Sequence, residues 1–162
     1  MKILGIDPGY GRLGIAIVEK DGSRDHVLFS QCFETNQSHD FPARLGLIVQ
    51  ELRAVLATWQ PDLCAIEKLY FQKNKKTAMR VSETRGAILA LMAEYGVRIS
   101  ELSPQEIKIA VTGSGRASKG DIARFLPKLV VLPHLPKHDD EYDAIAAGIT
   151  ASRLSTYSGL RS

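Results

Sequence analysis

Residues 1–14, Met-Lys-Ile-Leu-Gly-Ile-Asp-Pro-Gly-Tyr-Gly-Arg-Leu-Gly, decide the fold of this chain. The apolar segment 2–6 predicts a short buried strand that ends at Asp7, and Pro8 with the following glycines predicts a tight turn into a second strand at Leu13. A carboxylate at the end of a buried strand is unfavourable unless a counter-charge offsets it, and a divalent cation is one such partner. The alternative is that Asp7 only caps the turn, because Asp-Pro-Gly is a common turn sequence.

The composition is that of a compact globular protein. The chain has 162 residues, of which 44% are hydrophobic and 24% charged, enough for a core and too apolar for disorder. We expect one domain over residues 1–156 and a disordered tail over 157–162. No apolar run reaches membrane-spanning length and no signal peptide is evident. Cys32 and Cys64 fall in predicted strands without metal-type spacing, so we expect reduced core residues of a cytoplasmic protein.

Hydrophobic periodicity outlines the secondary structure. It predicts strands over 2–7, 13–20, 25–35, 63–67 and 97–102 and helices over 41–58, 74–95, from 104 to the loop 112–116, 118–128 and 139–155. This order predicts an α/β fold with one five-stranded mixed sheet, whose first three strands are antiparallel and whose two faces carry helices. The strand ending at Glu67 follows a helix, so it should run parallel to its neighbour. If that neighbour is the first strand, Glu67 and Asp7 emerge at the same edge.

Acidic residues end three predicted elements. They are Asp7, Glu67 and the cluster 139–143, in which Asp140 and Asp143 share a helix face because they are three residues apart. The small apolar residues that follow predict a helix packed closely on the sheet, near the strand ends. Four carboxylates at one place repel one another, and two Mg²⁺ ions would neutralise them and form a two-metal site for phosphodiester hydrolysis.

These motifs resemble the RuvC family of bacterial Holliday junction resolvases, which belongs to the ribonuclease H-like superfamily. The matching segments follow in order over nearly the whole chain: Leu4-Gly-Ile-Asp7-Pro-Gly9 with Gly14, Ala65-Ile-Glu67, Lys73-Asn74 and Asp140-Glu-Tyr-Asp143-Ala-Ile-Ala. The resemblance implies a ribonuclease H-like fold and a structure-specific endonuclease that cuts opposed strands of four-way junction DNA in recombination and repair. It also implies a homodimer, contacts with a branch-migration motor complex, and two Mg²⁺ ions per active site, with Mn²⁺ as an alternative. The catalytic, metal-binding acids would be Asp7, Glu67, Asp140 and Asp143.

The neighbours of Asp140 leave alternatives open. Some family members carry histidine at this position, and His138 lies two residues earlier, although we interpret it as a solvated or structural loop residue. Asp139 is four residues from Asp143, so spacing does not exclude it, but alignment on the following Ala-Ile-Ala favours Asp140. Taken alone, Asp139 and Glu141 are best interpreted as first-turn acids that only complement the helix dipole.

Basic residues concentrate directly after Glu67. Segment 68–80 contains five basic residues, no acid and two aromatics, a composition that suits phosphate contacts and base stacking. In the family an aromatic just past the second acid lies near the junction crossover; Tyr70 matches it, Phe71 is the alternative, and both could instead fill a gap under the loop. The residues that we expect to contact DNA are Tyr70, Phe71, Lys73, Asn74, Lys75, Lys76, Arg80, Lys108, Arg116 and Lys119.

Two lysines of this set match basic positions that the family places beside the scissile phosphate. They are Lys108 and Lys119, and the glycine loop 112–116 lies between them. Backbone N–H groups of such a loop can hold a phosphate, and Arg116 can contact the DNA backbone. The alternative for Lys119 is an ordinary surface lysine at a helix start.

The helix predicted over 74–95 is the expected dimer interface. A two-fold symmetric junction requires two cuts, which a C₂ dimer supplies. Leu91 lies on a different face from Ile88, Leu89 and Met92, which favours an interface, although these residues could all face their own core.

Three other functions remain open on the sequence. A YqgF-like nuclease begins similarly but is usually shorter and differs around the second acid. The first turn also resembles a phosphate loop of the actin and sugar-kinase fold, which needs a second such loop that these 162 residues lack. A non-catalytic junction-binding scaffold is disfavoured by the complete set of four acids.

Overall fold

The computed structural model describes residues 1–21, 24–69 and 75–158, without the side chains of residues 75–77 and 156–158. Its strands are β1 (Lys2–Asp7), β2 (Arg12–Asp21), β3 (Arg24–Glu34), β4 (Leu63–Glu67), β5 (Arg98–Leu102) and β6 (Val130–Val131). Its helices are α1 (Phe41–Trp59), α2 (Lys75–Glu94), α3 (Pro104–Thr112), α4 (Lys119–Leu129) and α5 (Asp139–Ser158). Helix α5 therefore includes residues 157 and 158, which were assigned to the tail, and residues 159–162 lie outside the described ranges.

The strands form one mixed sheet in the order β5-β4-β1-β2-β3-β6. The pairs β1–β2 and β2–β3 are antiparallel, whereas β1–β4, β4–β5 and β3–β6 are parallel. The predicted α/β fold and its antiparallel start are confirmed, but the count of five strands is wrong. The sixth strand, β6, has two residues and pairs only with Asp25 and His26, so it is too short to produce a periodic pattern.

Alternating residues of β1 enter two different cores, because successive side chains of a strand point to opposite faces. On one face Leu4 and Ile6 pack with apolar residues of α1 and α2. On the other face Ile3 packs with residues of α3, α4 and α5. The prediction of helices on both faces is therefore confirmed.

Several apolar residues in the second half of α2 face this sheet. Leu91 is only 3% exposed, and Ile88 and Met92 are fully buried beside it in the same core. Leu91 was taken to favour a dimer interface, and that inference is wrong. A helix that packs on a sheet buries a broad apolar face, so Leu91 and Ile88 can both contact the chain's own core.

Helix α5 approaches β1 and β2 unusually closely. A Cβ atom added at Gly5 would lie 2.0 Å from the Ala144 carbonyl oxygen, and one at Gly14 would lie 1.9 Å from the Asp140 carbonyl oxygen. Both strands therefore require glycine where the helix crosses them. This contact places the first turns of α5 against the end of β1.

Within the ranges described above, no helix combines the length and apolar character needed to cross a membrane.

Candidate active site

Asp7 and Glu67 leave the sheet at the same edge. Strands β1 and β4 are parallel and pair Ile6 with Ile66, so the next residue of each strand carries a carboxylate at the adjoining ends. The conditional prediction about β4 is thus confirmed by the register.

Asp143 joins these two acids at one cavity. The cavity has a volume of about 330 Å³ and lies between the ends of β1 and β4, α2, α3, α4 and the start of α5. Its lining includes Asp7, Glu67, Asp143, Lys108 and Lys119. Lys68, directly after Glu67, also lines it, so segments separated by dozens of residues bring three carboxylates and three lysines to a single place.

Asp140 lies at the border of this group. Asp140 is not among the described residues that line the cavity. Its Oδ2 atom instead lies 3.2 Å from Nε of Arg12. Its charge nevertheless raises the pKa of Asp7, and both residues border Gly14, where an added Cβ would lie 1.9 Å from the Asp140 carbonyl oxygen and 3.1 Å from the Asp7 Cβ. Asp139 is exposed, and His138 lies beside Cys32 and Glu34 instead.

Negative charge accumulates around Asp7. Its pKa is raised from 3.8 to about 7, chiefly by burial and then by the charges of Asp143, Asp140 and Glu67, whereas the charge of Lys119 lowers it. Burial and the charge of Asp143 also raise the pKa of Glu67. Ionisation of these buried, mutually repelling carboxylates is therefore unfavourable, and an additional cation would make it more favourable.

Two cations of the chain already contact this group. Lys119 is the first residue of α4, which begins with a capping box formed by Ser118 and Asp121. Its Nζ donates a hydrogen bond to Asp143 Oδ2 at 2.8 Å, and this contact raises the pKa of Lys119. Lys119 thus neutralises Asp143 as Arg12 neutralises Asp140.

The donor set fits Mg²⁺. The group offers carboxylate oxygens, which hard cations prefer, and it carries more negative charge than the two neighbouring cations offset. The presence of Lys119 and Arg12 on two of the acids shows that these positions attract positive charge.

The other residues expected to contact DNA lie away from the cavity lining or outside the described ranges. Tyr70, Phe71, Lys73 and Asn74 belong to the undescribed segment 70–74, and the side chains of Lys75 and Lys76 are not described. The guanidinium of Arg80 lies 4.1 Å from the Phe41 ring centroid, and Arg116 is exposed in the glycine loop.

The family model described as "Crossover junction endodeoxyribonuclease RuvC" matches residues 3–151. The chain belongs to the RuvC family. It is 45% identical over 146 residues to the "Crossover junction endodeoxyribonuclease RuvC" of Petrotoga mobilis, with 90% of each chain covered. It is 40% identical to the protein of that name from Thermotoga maritima, covering 90% of this chain and 87% of the relative.

Solved RuvC structures share the fold. "T. thermophilus RuvC in complex with Holliday junction substrate" superposes with a TM-score of 0.91 at 27% identity, covering 98% of this chain and 96% of that one. "Thermus thermophilus RuvC structure" gives a TM-score of 0.85 at 28% identity, with 97% of each chain covered. The resemblance noted in the sequence is therefore confirmed.

Glu141 of this RuvC chain has a structural role that sequence reasoning missed. Its side chain is buried, and the residue is only 3% exposed. Its Oε1 accepts a hydrogen bond from the Ser30 hydroxyl at 2.6 Å and lies 2.8 Å from Nε2 of His134, while Oε2 accepts from the Lys137 N–H. The interpretation that Glu141 only complements the helix dipole is wrong. The signal was present: Glu141 is four residues before the buried Ile145, on the face that packs inward.

Arg85 was also missed as a supporting residue. Its Nε donates to the Glu67 carbonyl oxygen at 3.2 Å, and its guanidinium pairs with Glu101 on β5. Arg85 thereby ties α2 to the end of β4, where Glu67 stands. The sequence signal is that Arg85 falls between Val81 and Ile88 at helical spacing, on the face of α2 that is otherwise apolar.

Cys32 is not the core residue that was expected. It is only partly buried, and its Sγ lies 4.0 Å from Asp140 Oδ2, whereas Cys64 is fully buried. Burial, Asp140 and Glu34 raise the pKa of the Cys32 thiol to about 11. Cys32 lies on the face of β3 that meets the start of α5, where Ser30 also contacts Glu141, and the strand pattern alone does not reveal this.

Proposed function

We propose that this chain is a metal-dependent, structure-specific endonuclease that resolves Holliday junctions by cutting opposed DNA strands in recombination and repair. The observation that carries the proposal is the meeting of Asp7, Glu67 and Asp143 with three lysines at one cavity, in a chain of the RuvC family. The names of its relatives and the junction complex of a RuvC protein with the same fold support the substrate.

Asp7, Glu67, Asp140 and Asp143 would hold the metal, as two Mg²⁺ ions or with Mn²⁺ in their place. Bound Mg²⁺ supplies activation of water and stabilisation of the leaving 3′ oxygen. The chain's own part is to collect the carboxylates at the edge of a rigid sheet and to bury them partly from competing solvent. Glycine at position 14 and the hydrogen bonds of Glu141 fix the start of α5, and hence both of its acids, against β1.

Lys108 and Lys119 would bind the phosphate that is cut. Both line the cavity, and Lys119 is substantially exposed, so its amine can leave Asp143 for a phosphate oxygen that enters. Segment 68–80, Arg116 and either Tyr70 or Phe71 would extend the contact along the junction through phosphate binding and base stacking. The nuclease domain would span residues 1–156 and act as a homodimer, in contact with a branch-migration motor.

The proposal is tested by incubating the purified chain with labelled four-way junctions, with and without Mg²⁺. Asp7→Asn preserves size but removes a metal-binding charge, so we expect junction binding to remain while cleavage falls at least about 100-fold. Asp139→Asn, at an exposed position of the same acidic region, should cut normally. Undiminished cleavage by Asp7→Asn would refute the assignment of the metal site.

Substrate class is tested in the same assay. Four-way DNA junctions should be cut in preference to duplex DNA and structured RNA of equal length. Preferential cleavage of RNA would favour a YqgF-like activity, and tight junction binding without cleavage under any divalent ion would favour a scaffold.

A further inference from the structure

A second group of metal-binding side chains lies next to the acids described above. Cys32 and Glu34 are alternate residues of β3 and therefore point to the same face of the strand. His138 immediately precedes α5. One ligand atom from each of the three residues lies within 4.8 Å of the others.

The backbone under these side chains is fixed. Cys32 pairs with Gly14 and Glu34 pairs with Arg12 in the β2–β3 ladder. The His138 carbonyl accepts hydrogen bonds from the N–H groups of Glu141 at 3.1 Å and Tyr142 at 3.4 Å. Cys32 and Glu34 thus project from a paired strand, and His138 from the loop residue whose carbonyl accepts the first hydrogen bonds of α5.

The donor chemistry differs from that of the catalytic group. A thiol, an imidazole and a carboxylate are the ligands of Zn²⁺ and similar thiophilic cations, whereas Mg²⁺ selects oxygen ligands. Ligand atoms around a tetrahedral Zn²⁺ lie roughly 3.3–3.8 Å apart, so each pair of ligand atoms would close by about 1.5 Å at most. None of the three residues is among those that line the 330 Å³ cavity.

We propose that Cys32, Glu34 and His138 form a separate binding site for a thiophilic divalent cation of the Zn²⁺ class. Cys32 binds as the thiolate, and its proton leaves to solvent as the ion binds.

Asp140 links this site to the catalytic acids. Its Oδ2 lies 4.0 Å from Cys32 Sγ and is now paired with Arg12. A cation held by Cys32 therefore draws the Asp140 carboxylate as a fourth ligand, in competition with Arg12 and with the catalytic metal. Occupancy of the site inhibits cleavage; this consequence rests on the proposed function, whereas binding itself does not.

The binding test is a titration of the full chain with Co²⁺ in excess Mg²⁺, followed by near-ultraviolet absorption from thiolate-to-Co²⁺ charge transfer. We expect one Co²⁺ per chain, displaced stoichiometrically by Zn²⁺. Cys32→Ser should abolish the band, and His138→Gln and Glu34→Gln should each weaken binding at least about tenfold. His39→Gln, an exposed histidine elsewhere, is the matched control and should bind normally.

Asp7→Asn separates the two sites. It should keep the charge-transfer band, because Asp7 is not a ligand of the proposed site. Absence of a band in the unmodified chain, its persistence in Cys32→Ser, or its loss in Asp7→Asn would overturn the proposal. Far-ultraviolet circular dichroism of each variant verifies that it is folded.

The inhibitory consequence is tested by Mg²⁺-dependent junction cleavage at increasing Zn²⁺. The unmodified chain should lose activity at a Zn²⁺ concentration at least about tenfold lower than Cys32→Ser does. Equal inhibition of both would overturn the link to Asp140. A chain that binds Co²⁺ as predicted but never cuts junctions would contradict the proposed function and leave the metal site supported.

Discussion

At the scale of single residues, Asp7 couples the stability of the metal-free protein to pH. Burial, Asp143 and Asp140 raise its pKa from 3.8 to about 7. Between these values the folded chain keeps a proton that the unfolded chain has lost, so the free energy of unfolding falls as pH rises from about 4 to about 7. Relative to Asp7→Asn, we expect the metal-free chain to lose about 1–4 kcal/mol over this window.

Urea denaturation in a chelator across this pH range measures the effect. Asp21→Asn, at an exposed strand end, should follow the unmodified chain. Mg²⁺ above pH 7 should stabilise the unmodified chain more than Asp7→Asn, because the ion binds the native carboxylates. Parallel pH curves for Asp7→Asn and the unmodified chain would contradict the prediction.

Glu141 has the opposite dependence. Burial opposes its ionisation, but hydrogen bonds from Ser30, His134 and the Lys137 N–H outweigh burial and lower its pKa. Its contribution is therefore present above its ordinary pKa and is lost as pH falls through the lowered value.

Replacing Glu141 should show this directly. Glu141→Gln keeps the shape but turns an amide toward hydrogen-bond donors, so we expect a loss of about 1–3 kcal/mol at pH 7 that shrinks in acid. Chemical denaturation at several pH values is the measurement. Asp139→Asn, two residues away and exposed, should stay within about 0.5 kcal/mol. Equal stabilities of the two variants would show that Glu141 contributes nothing beyond a first-turn charge.

At the scale of elements, the contact of α5 with β1 and β2 positions the acids. Gly14→Ala would place a Cβ 1.9 Å from the Asp140 carbonyl oxygen and 3.1 Å from the Asp7 Cβ. The helix must then move outward, so we expect a loss of about 2–4 kcal/mol and reduced cleavage per folded molecule.

Gly46→Ala is the matched control for this prediction. A Cβ at Gly46 meets no atom within 4 Å, and the position lies inside α1. Alanine there should stabilise the helix by about 0.5–1 kcal/mol, as urea denaturation will measure. If both alanine variants behave alike, close packing of α5 does not position the site.

At the scale of the whole molecule, the proposed homodimer needs a surface other than the buried stripe of α2. Met79 is 59% exposed near the start of α2. We expect the chain to sediment at about twice its mass of 17.8 kDa, and Met79→Asp to weaken dimerisation at least about tenfold.

Leu135→Asp is the control for the dimer prediction. Leu135 is 69% exposed in the loop before α5, on a different element from Met79. Analytical ultracentrifugation should find its mass unchanged. A monomeric unmodified chain at tens of micromolar, or a dimer that Leu135→Asp disrupts and Met79→Asp does not, would contradict the assignment.

The sequence predicted the local elements and the three acids at their ends correctly, because periodicity, turn residues and capping residues act over short distances. The capping boxes of α3 and α4 and the register-defining apolar runs of β1 and β4 are of this kind. The errors were non-local: the two-residue β6, the burial of Leu91 and Glu141, and the turn of Cys32 toward α5 each depend on a partner far along the chain.

By itself, then, the sequence determined an α/β fold with an antiparallel start, and it named Asp7 and Glu67 at strand ends and Asp140 and Asp143 at a helix start as the candidate acids. Only the tertiary structure decided which partner each basic side chain has. Lys119 pairs with Asp143, Arg12 pairs with Asp140, and Arg85 donates to the Glu67 carbonyl oxygen. The physical reason is that pattern is set by neighbours in the chain, whereas electrostatic pairing is set by distances in space.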